Sequence, residues 1–238
     1  MKASIMTVLL SCLLVALTSV SLAQQQTIVT TAGQIKLSEL ADPEMQYLFE
    51  GMQAATIRLK DGSETAGMAN YNILLDAMEV TGRRGQPEAL DPVRIEQGGF
   101  DQHRFVYVPE TGYMELLSDE AGRVSLMQRR QVRLNVTPTA RGAYGSPSTT
   151  SWVRAGSLSR EYQTLDNPEG QELEISLRMQ SYFVIVHEGE SVTISNRRQL
   201  LRQFPQWRDA LRRYTDDHDV DYSSREDLIG LVAFMNSL

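Results

Sequence analysis

The stretch that most constrains the fold runs from residue 123 to residue 136, where apolar and polar side chains alternate. Its even positions are Val124, Leu126, Gln128, Arg130, Val132, Leu134 and Val136, and its odd positions are polar except for Met127. A period of two puts alternate side chains on opposite faces of a strand, so the segment reads as one long β-strand with a dry face and a wet face. That is the pattern of an antiparallel sheet packed on one side only. Gln128 and Arg130 interrupt the dry face at mid-strand, which points to a bulge, a sheet edge or a position lining a cavity.

Shorter segments repeat the theme. Residues 55–59 form a strand that turns at Lys60-Asp61-Gly62-Ser63, because Asp-Gly accepts the positive φ of a tight hairpin. Residues 65–80 read as one long return strand through Asn70-Tyr71-Asn72. Further strands are expected at 93–96, 104–108, 113–117, 172–186 and 191–194, with turns at Gly98-Gly99, 109–112 and 119–122.

After Ser195 the period becomes helical. Ser195 is placed to cap a helix running through Gln203, and Pro205 suits the first turn of a second. Trp207, Leu211 and Tyr214 recur at one-turn spacing, and Ser223 and Ser224, each three residues ahead of an acid, are capping-box candidates for a last helix. The expected fold class is mainly β with C-terminal helices (α+β). An antiparallel meander sheet, or a partly open barrel or roll, occupies residues 24–194, and two or three helices in residues 195–238 pack on it.

The N-terminus reads as a secretory leader. Lys2 precedes a mostly apolar run over residues 5–17, and Ser21-Leu22-Ala23 sets small residues three and one positions before a cut after Ala23. The apolar run is too short for a permanent membrane anchor. Cys12 faintly resembles a lipid-attachment position, but only about six apolar residues would precede that cut. Residues 1–23 are therefore expected to be removed, leaving residues 24–238 outside the cytoplasm, in the periplasm or at the outer-membrane periphery, or secreted. Cys12 is the single cysteine, so the chain forms no internal disulfide and must rely on its core.

Loss of Lys2 leaves 22 basic residues against 30 acidic ones, a net charge of −8. Such an acidic balance opposes nonspecific nucleic-acid binding, so no nucleic-acid partner is expected. Asp217, Asp219 and Asp221 match the first three ligand positions of a calcium loop, but Tyr222 stands where that loop needs glycine and Leu228 where it needs glutamate. Asp101 with His103, or His187 with Glu188 or Glu190, lacks recognised metal spacing, so neither a metal nor another cofactor is expected. No nucleophile elbow, phosphate loop or zinc-protease motif is present. Arg197, Arg198, Arg202, Arg208, Arg212 and Arg213 give the first two helices a local positive surplus, offset by Asp209.

Scattered positions carry a family resemblance. Tyr47-Leu48-Phe49-Glu50, the Asp61-Gly62 turn, Asn70-Tyr71-Asn72, the Gly142-Ala143-Tyr144-Gly145 loop, residues 196–204, and Asp221-Tyr222 with Glu226-Asp227-Leu228 form its blocks. Together they resemble an uncharacterised family of secreted envelope proteins from Gram-negative bacteria. The resemblance implies export and no established activity.

Two sets of residues stand out as candidate contacts for a ligand or partner. Residues 137–157 form a long Pro/Gly/Ser/Thr-rich connection bearing Arg141 and Tyr144, followed by Trp152 and Arg154, groups able to stack and to hydrogen-bond. Asn70 and Asn72 lie on one face of a strand with Tyr71 on the other, placed either to meet a polar ligand or to satisfy backbone groups at a bend. The reading that follows is a noncatalytic exported envelope protein acting by protein–protein contacts. One alternative is a periplasmic carrier binding a lipid or other apolar ligand in a curved sheet. A second is a hydrolase whose site is built from distant residues, with clustered carboxylates or histidines in one cleft.

Overall fold

A computed structural model describes residues 24–109, 111–118, 122–139, 151–154, 164–167 and 172–238, with the backbone alone at 151–154, 164 and 166. The leader with Cys12, and the Gly-Ala-Tyr-Gly segment with Arg141 and Tyr144, lie outside the described residues. The architecture is a mainly antiparallel open sheet with C-terminal helices.

Its spine is the alternating segment, β10 (Val124–Pro138), paired along its whole length with β13 (Leu173–His187) in one unbroken register of 15 residue pairs. Each spine strand carries two short neighbours, one toward each end. On β10 these are β9 (Gly112–Leu116), opposite Met127 and Gln128, and β11 (Ser151–Arg154), opposite residues 133–136. On β13 they are β1 (Gln25–Thr30), opposite residues 173–178, and β14 (Glu190–Thr193), opposite residues 184–187. From β9 the meander runs outward through β8 (His103–Val108), β7 (Ile95–Phe100), β3 (Gln53–Leu59), β4 (Glu64–Asn72), β5 (Ala77–Thr81) and β6 (Pro87–Ala89). A separate two-stranded sheet joins β2 (Gln34–Lys36) to β12 (Thr164–Asp166).

The dry face of the spine carries two cores. Val132, Leu134, Ile175 and Leu177 pack with Tyr71, Met78, Phe100, Phe105 and Tyr113 of the meander. Val124, Leu126 and Ile185 pack under α3 (Arg197–Gln203), α4 (Arg208–His218) and α5 (Arg225–Asn236), whose Leu200, Leu211, Leu228, Leu231, Val232 and Met235 are fully buried. Asn236 ties α5 to the spine, its Nδ2 donating to Val124 O at 2.8 Å and its Oδ1 accepting from Val124 N at 2.8 Å. No described helix is long and apolar enough to cross a membrane.

Several elements differ from the sequence expectation for identifiable reasons. The long strand over 65–80 is a hairpin, broken at residues 73–76, where Asp76 takes a positive φ of 50°. Gly98 and Gly99 lie inside β7, paired with Ile57 and Thr56 of β3 and with Phe105 and Arg104 of β8, rather than in a turn; the turn falls at Asp101, φ 49°. Residues 92–94 form a 3-10 turn capped by Asp91, so β7 starts at Ile95. The connection over 137–157 contains β11, and β10 runs on to Pro138. The cap of α3 is Asn196, one residue later than expected, with Gln199 reaching back to Ser195. Of the two serine candidates it is Ser224 that caps α5, accepting from Asp227 N. Two one-turn helices, α1 (Leu37–Leu40) and α2 (Pro43–Gln46), follow β2 and carry no long periodic signal.

One buried ion pair locks the meander to the spine. Arg129, on the wet side of the alternation yet only 3% exposed, forks onto Asp76 at 2.7 and 2.9 Å. Its NH1 also donates to Tyr71 Oη at 2.9 Å and to Tyr113 O at 2.8 Å, while Tyr71 Oη donates to Asp76 Oδ1 at 2.7 Å. Burial, then the nearby Asp76 charge, pushes the Tyr71 phenol far above its usual value, so it stays a donor. Gly112 completes the fit: its φ is +98°, and a Cβ there would sit 1.9 Å from Asp76 Oδ2. Breaking a buried pair leaves its partner charged and uncompensated, at a cost of about 3–5 kcal/mol, whereas replacing both members with apolar groups costs far less. Arg129→Met is therefore expected to lower unfolding free energy in urea by about that amount, and Arg129→Met with Asp76→Asn, which removes the orphaned charge and tolerates the positive φ at 76, by less than Arg129→Met alone. Additive losses would show that the pair is not coupled.

Candidate functional site

The break in the alternation marks where the two cores part. Between the short flanking strands, residues 129–132 of β10 and 180–183 of β13 have no further strand beside them among the described residues. Here the sheet narrows to the two spine strands. Gln128, the last residue paired with β9, and Arg130, inside the narrowed stretch, meet polar groups.

The group they meet is Glu115 on β9, whose side chain is 1% exposed. Glu115 stands opposite Gln128 in the register, on the same face, one step from Arg130. Arg130 NH1 donates to Glu115 Oε2, and Arg130 NH2 donates to Gln128 Oε1 at 2.9 Å. His103 Nδ1 lies 2.7 Å from Glu115 Oε1, and Arg225, the first residue of α5, brings its guanidinium to 4.0 Å from the same oxygen. Burial pushes the Glu115 carboxyl up, but the Arg130 charge and hydrogen bonds from Arg130 and His103 outweigh it. The net result lies below the usual 4.5.

Arg130 also lines a cleft of about 860 Å³ beside this cluster. Its walls are Tyr47, Leu48, Phe49, Ile73 and Met179, and its rim carries Asp42, Glu44 and Glu50. Phe49 packs on Phe100 at 5.2 Å and edge-on against the His103 ring at 5.4 Å, so the cleft wall and the charged cluster share a side chain. Tyr47 is fixed by its hydroxyl, which donates to Glu79 Oε2 at 3.0 Å; burial, then the Glu79 charge, raises that phenol to about 12.

Asn70, Tyr71 and Asn72 are buried, and their polar atoms bond within the chain. Asn70 Nδ2 donates to Phe49 O at 2.9 Å and Gly51 O at 3.0 Å, holding the segment that forms the cleft wall. Asn72 donates to Glu79 Oε1 at 3.1 Å and accepts from Leu75 N at 3.0 Å, closing the 73–76 turn. Tyr71 belongs to the Arg129 pair. Trp152 and Arg154 lie in β11, level with Asn135 and Arg133 of the spine. Their side chains, like Arg141 and Tyr144, are not among the described parts.

The three histidines occupy different surroundings. His187 packs edge-on against Trp207 at 5.0 Å, and His218 stacks on Tyr214 at 4.1 Å. Asp221 accepts from Ser223, and Asp216 pairs with Arg197, so these two acids serve the loop and the helix contact. Among the described residues no group of three or more metal-binding side chains is gathered. Sequence reasoning flagged Gln128 and Arg130 but missed Glu115 and Phe49. An acid inside the apolar strand Tyr113-Met114-Glu115-Leu116 was the available signal.

A His held through Nδ1 by a carboxylate has the posture of an oriented base. Among the described residues, the hydrogen bonds of this cluster join His103, Arg130 and Gln128 around Glu115. Comparisons with protein families, curated proteins and solved structures find no match.

The depressed Glu115 carboxyl sets a pH dependence. A group whose folded value lies below its unfolded value adds stability that is complete above the unfolded value and is lost as pH falls through the folded one. Glu115→Gln is expected to destabilise the protein at pH 7, and the gap from the parent should close as pH drops below 4.5. Urea midpoints from pH 7 to pH 3 check this; a gap that stays constant would mean Glu115 is not held ionised by its neighbours.

Proposed function

We propose that this chain is a noncatalytic, exported protein of the cell envelope, in the periplasm or at the outer-membrane periphery, acting through protein–protein contacts. The observation that carries the reading is the cleft where the sheet narrows. Its walls are aromatic and aliphatic, its rim is charged, and it lies on the surface of an open sheet whose two apolar cores are filled by the chain itself. Aromatic anchors within a polar rim form the usual anatomy of a protein contact surface. The leader-like N-terminus and the resemblance to secreted envelope proteins supply the location.

A carrier of apolar cargo needs an enclosed, mainly apolar chamber. The cleft instead mixes carboxylates and an arginine with its apolar wall, which favours a polypeptide surface over a lipid tail. The partner in this reading is another envelope protein that presents apolar side chains beside basic ones, matching Asp42, Glu44 and Glu50.

The test is a photo-crosslinking residue placed at Glu50, with a second at the exposed Arg208 on α4 as control, both expressed in the producing cell. A discrete polypeptide adduct from position 50, absent from position 208 and weakened by Glu44→Lys, is expected. Native mass spectrometry of gently purified protein gives the opposing outcome. An adduct of a few hundred daltons with no polypeptide cross-link would replace this reading with the carrier.

A further inference from the structure

The Glu115 cluster holds more positive charge than its folding requires. Two guanidinium groups, Arg130 and Arg225, face one carboxylate before any proton on His103 is counted. A single buried carboxylate needs one good cationic partner, and Arg130 already supplies it in direct hydrogen-bonded contact. Arg225 stays 4.0 Å away with no hydrogen bond to Glu115, and its side chain is 43% exposed. The His103 ring is 26% exposed, and its Nε2 is left over once Nδ1 is bound to Glu115. Unspent donors on partly exposed cations, fixed around a rigid acid, are what an oxyanion site is made of.

From this arrangement we infer that His103, Arg130 and Arg225 form an oxyanion-binding subsite beside the cleft, taking a carboxylate or a phosphate group. Glu115 is the positioning residue: it holds the His103 Nδ1 and the Arg130 NH1 by hydrogen bonds. Phe49, in contact with His103 and part of the cleft wall, connects the subsite to the larger surface. The cleft thus has a cationic end at Arg130 and an anionic rim at Asp42, Glu44 and Glu50, so it selects a ligand of fixed polarity. Only the location of the binding surface is taken from the protein-contact reading; the subsite stands or falls on its own test.

The experiment is an NMR titration of the purified protein with inorganic phosphate and, separately, with acetate, at ionic strength matched by chloride. The signals followed are the His103 imidazole and the arginine side-chain N–H groups. Saturable shifts with a Kd of about 1–10 mM are expected, a range ordinary for a single small anion. Arg225→Gln should weaken that binding by about fivefold to tenfold, the worth of one charge-assisted contact, while Arg208→Gln should leave it unchanged. Tighter phosphate than acetate assigns the natural group to a phosphate ester, and the reverse order to a carboxylate. Shifts that only track ionic strength, or an affinity equal in parent and Arg225→Gln, would overturn the subsite. That result would leave a cross-linked polypeptide at Glu50 unexplained but intact, whereas saturable binding with no such cross-link would keep the subsite and remove the protein-contact reading.

Discussion

The β10–β13 ladder is the constraint from which the rest of the molecule follows. Fifteen residue pairs in one register give a ribbon far longer than the 5–6 residues of an ordinary strand, too long for a single small core to cover. The chain solves this with two cores on the same face, one built by the meander and one by the C-terminal helices. Period-two geometry fixes which side chains enter them, and a slip of one residue would turn Val124, Leu126, Val132 and Leu134 outward together. The helices are therefore not an independent appendage. They have to be where they are, because Val124, Leu126 and Ile185 would otherwise be bare.

Two cores on one ribbon leave a seam, and the seam is where polar chemistry collects. Gln128 and Arg130 occupy it on β10, Glu115 approaches from β9, and Arg225 arrives from the first turn of α5. Each half of the molecule contributes a charged group to the same carboxylate. The seam is thus tied across by electrostatics where it cannot be closed by packing.

Much of this was legible from residue order. The alternation over 123–136, the hairpin at Asp61-Gly62 and the helical spacing after Ser195 each reflect a local rule, and local rules survive without tertiary context. The interruption at Gln128 and Arg130 was legible too, though only as a place where something polar had to happen. What it meets was hidden, because Glu115 is set by sheet register, a property of two strands and not of one. The glycines misled for a related reason. Gly98 and Gly99 are held in β7 by pairing with β3 and β8 on either side, partners that no local pattern names. Asn70-Tyr71-Asn72 offered either a ligand face or partners for backbone groups at a bend, and the two amides bond backbone groups of the cleft wall and the 73–76 turn.

Comparing the buried carboxylates separates structure from function better than any single one does. Asp76 meets one arginine, two-pronged and itself 3% exposed, plus a tyrosine hydroxyl and the Tyr113 amide. That set matches one guanidinium with one carboxylate, and the guanidinium is closed off from solvent. Glu79 is held by neutral donors, Tyr47 and Asn72, and supports the cleft wall from behind. Glu115 is more deeply buried than either, yet it gathers two guanidinium groups and an imidazole, and Arg225 and His103 remain partly exposed. Desolvating a carboxylate costs several kcal/mol, and at Asp76 one arginine meets it together with two neutral donors, the Tyr71 hydroxyl and the Tyr113 amide. The second guanidinium at Glu115, Arg225, has no counterpart at Asp76, and it is this excess on which the proposed anion subsite rests.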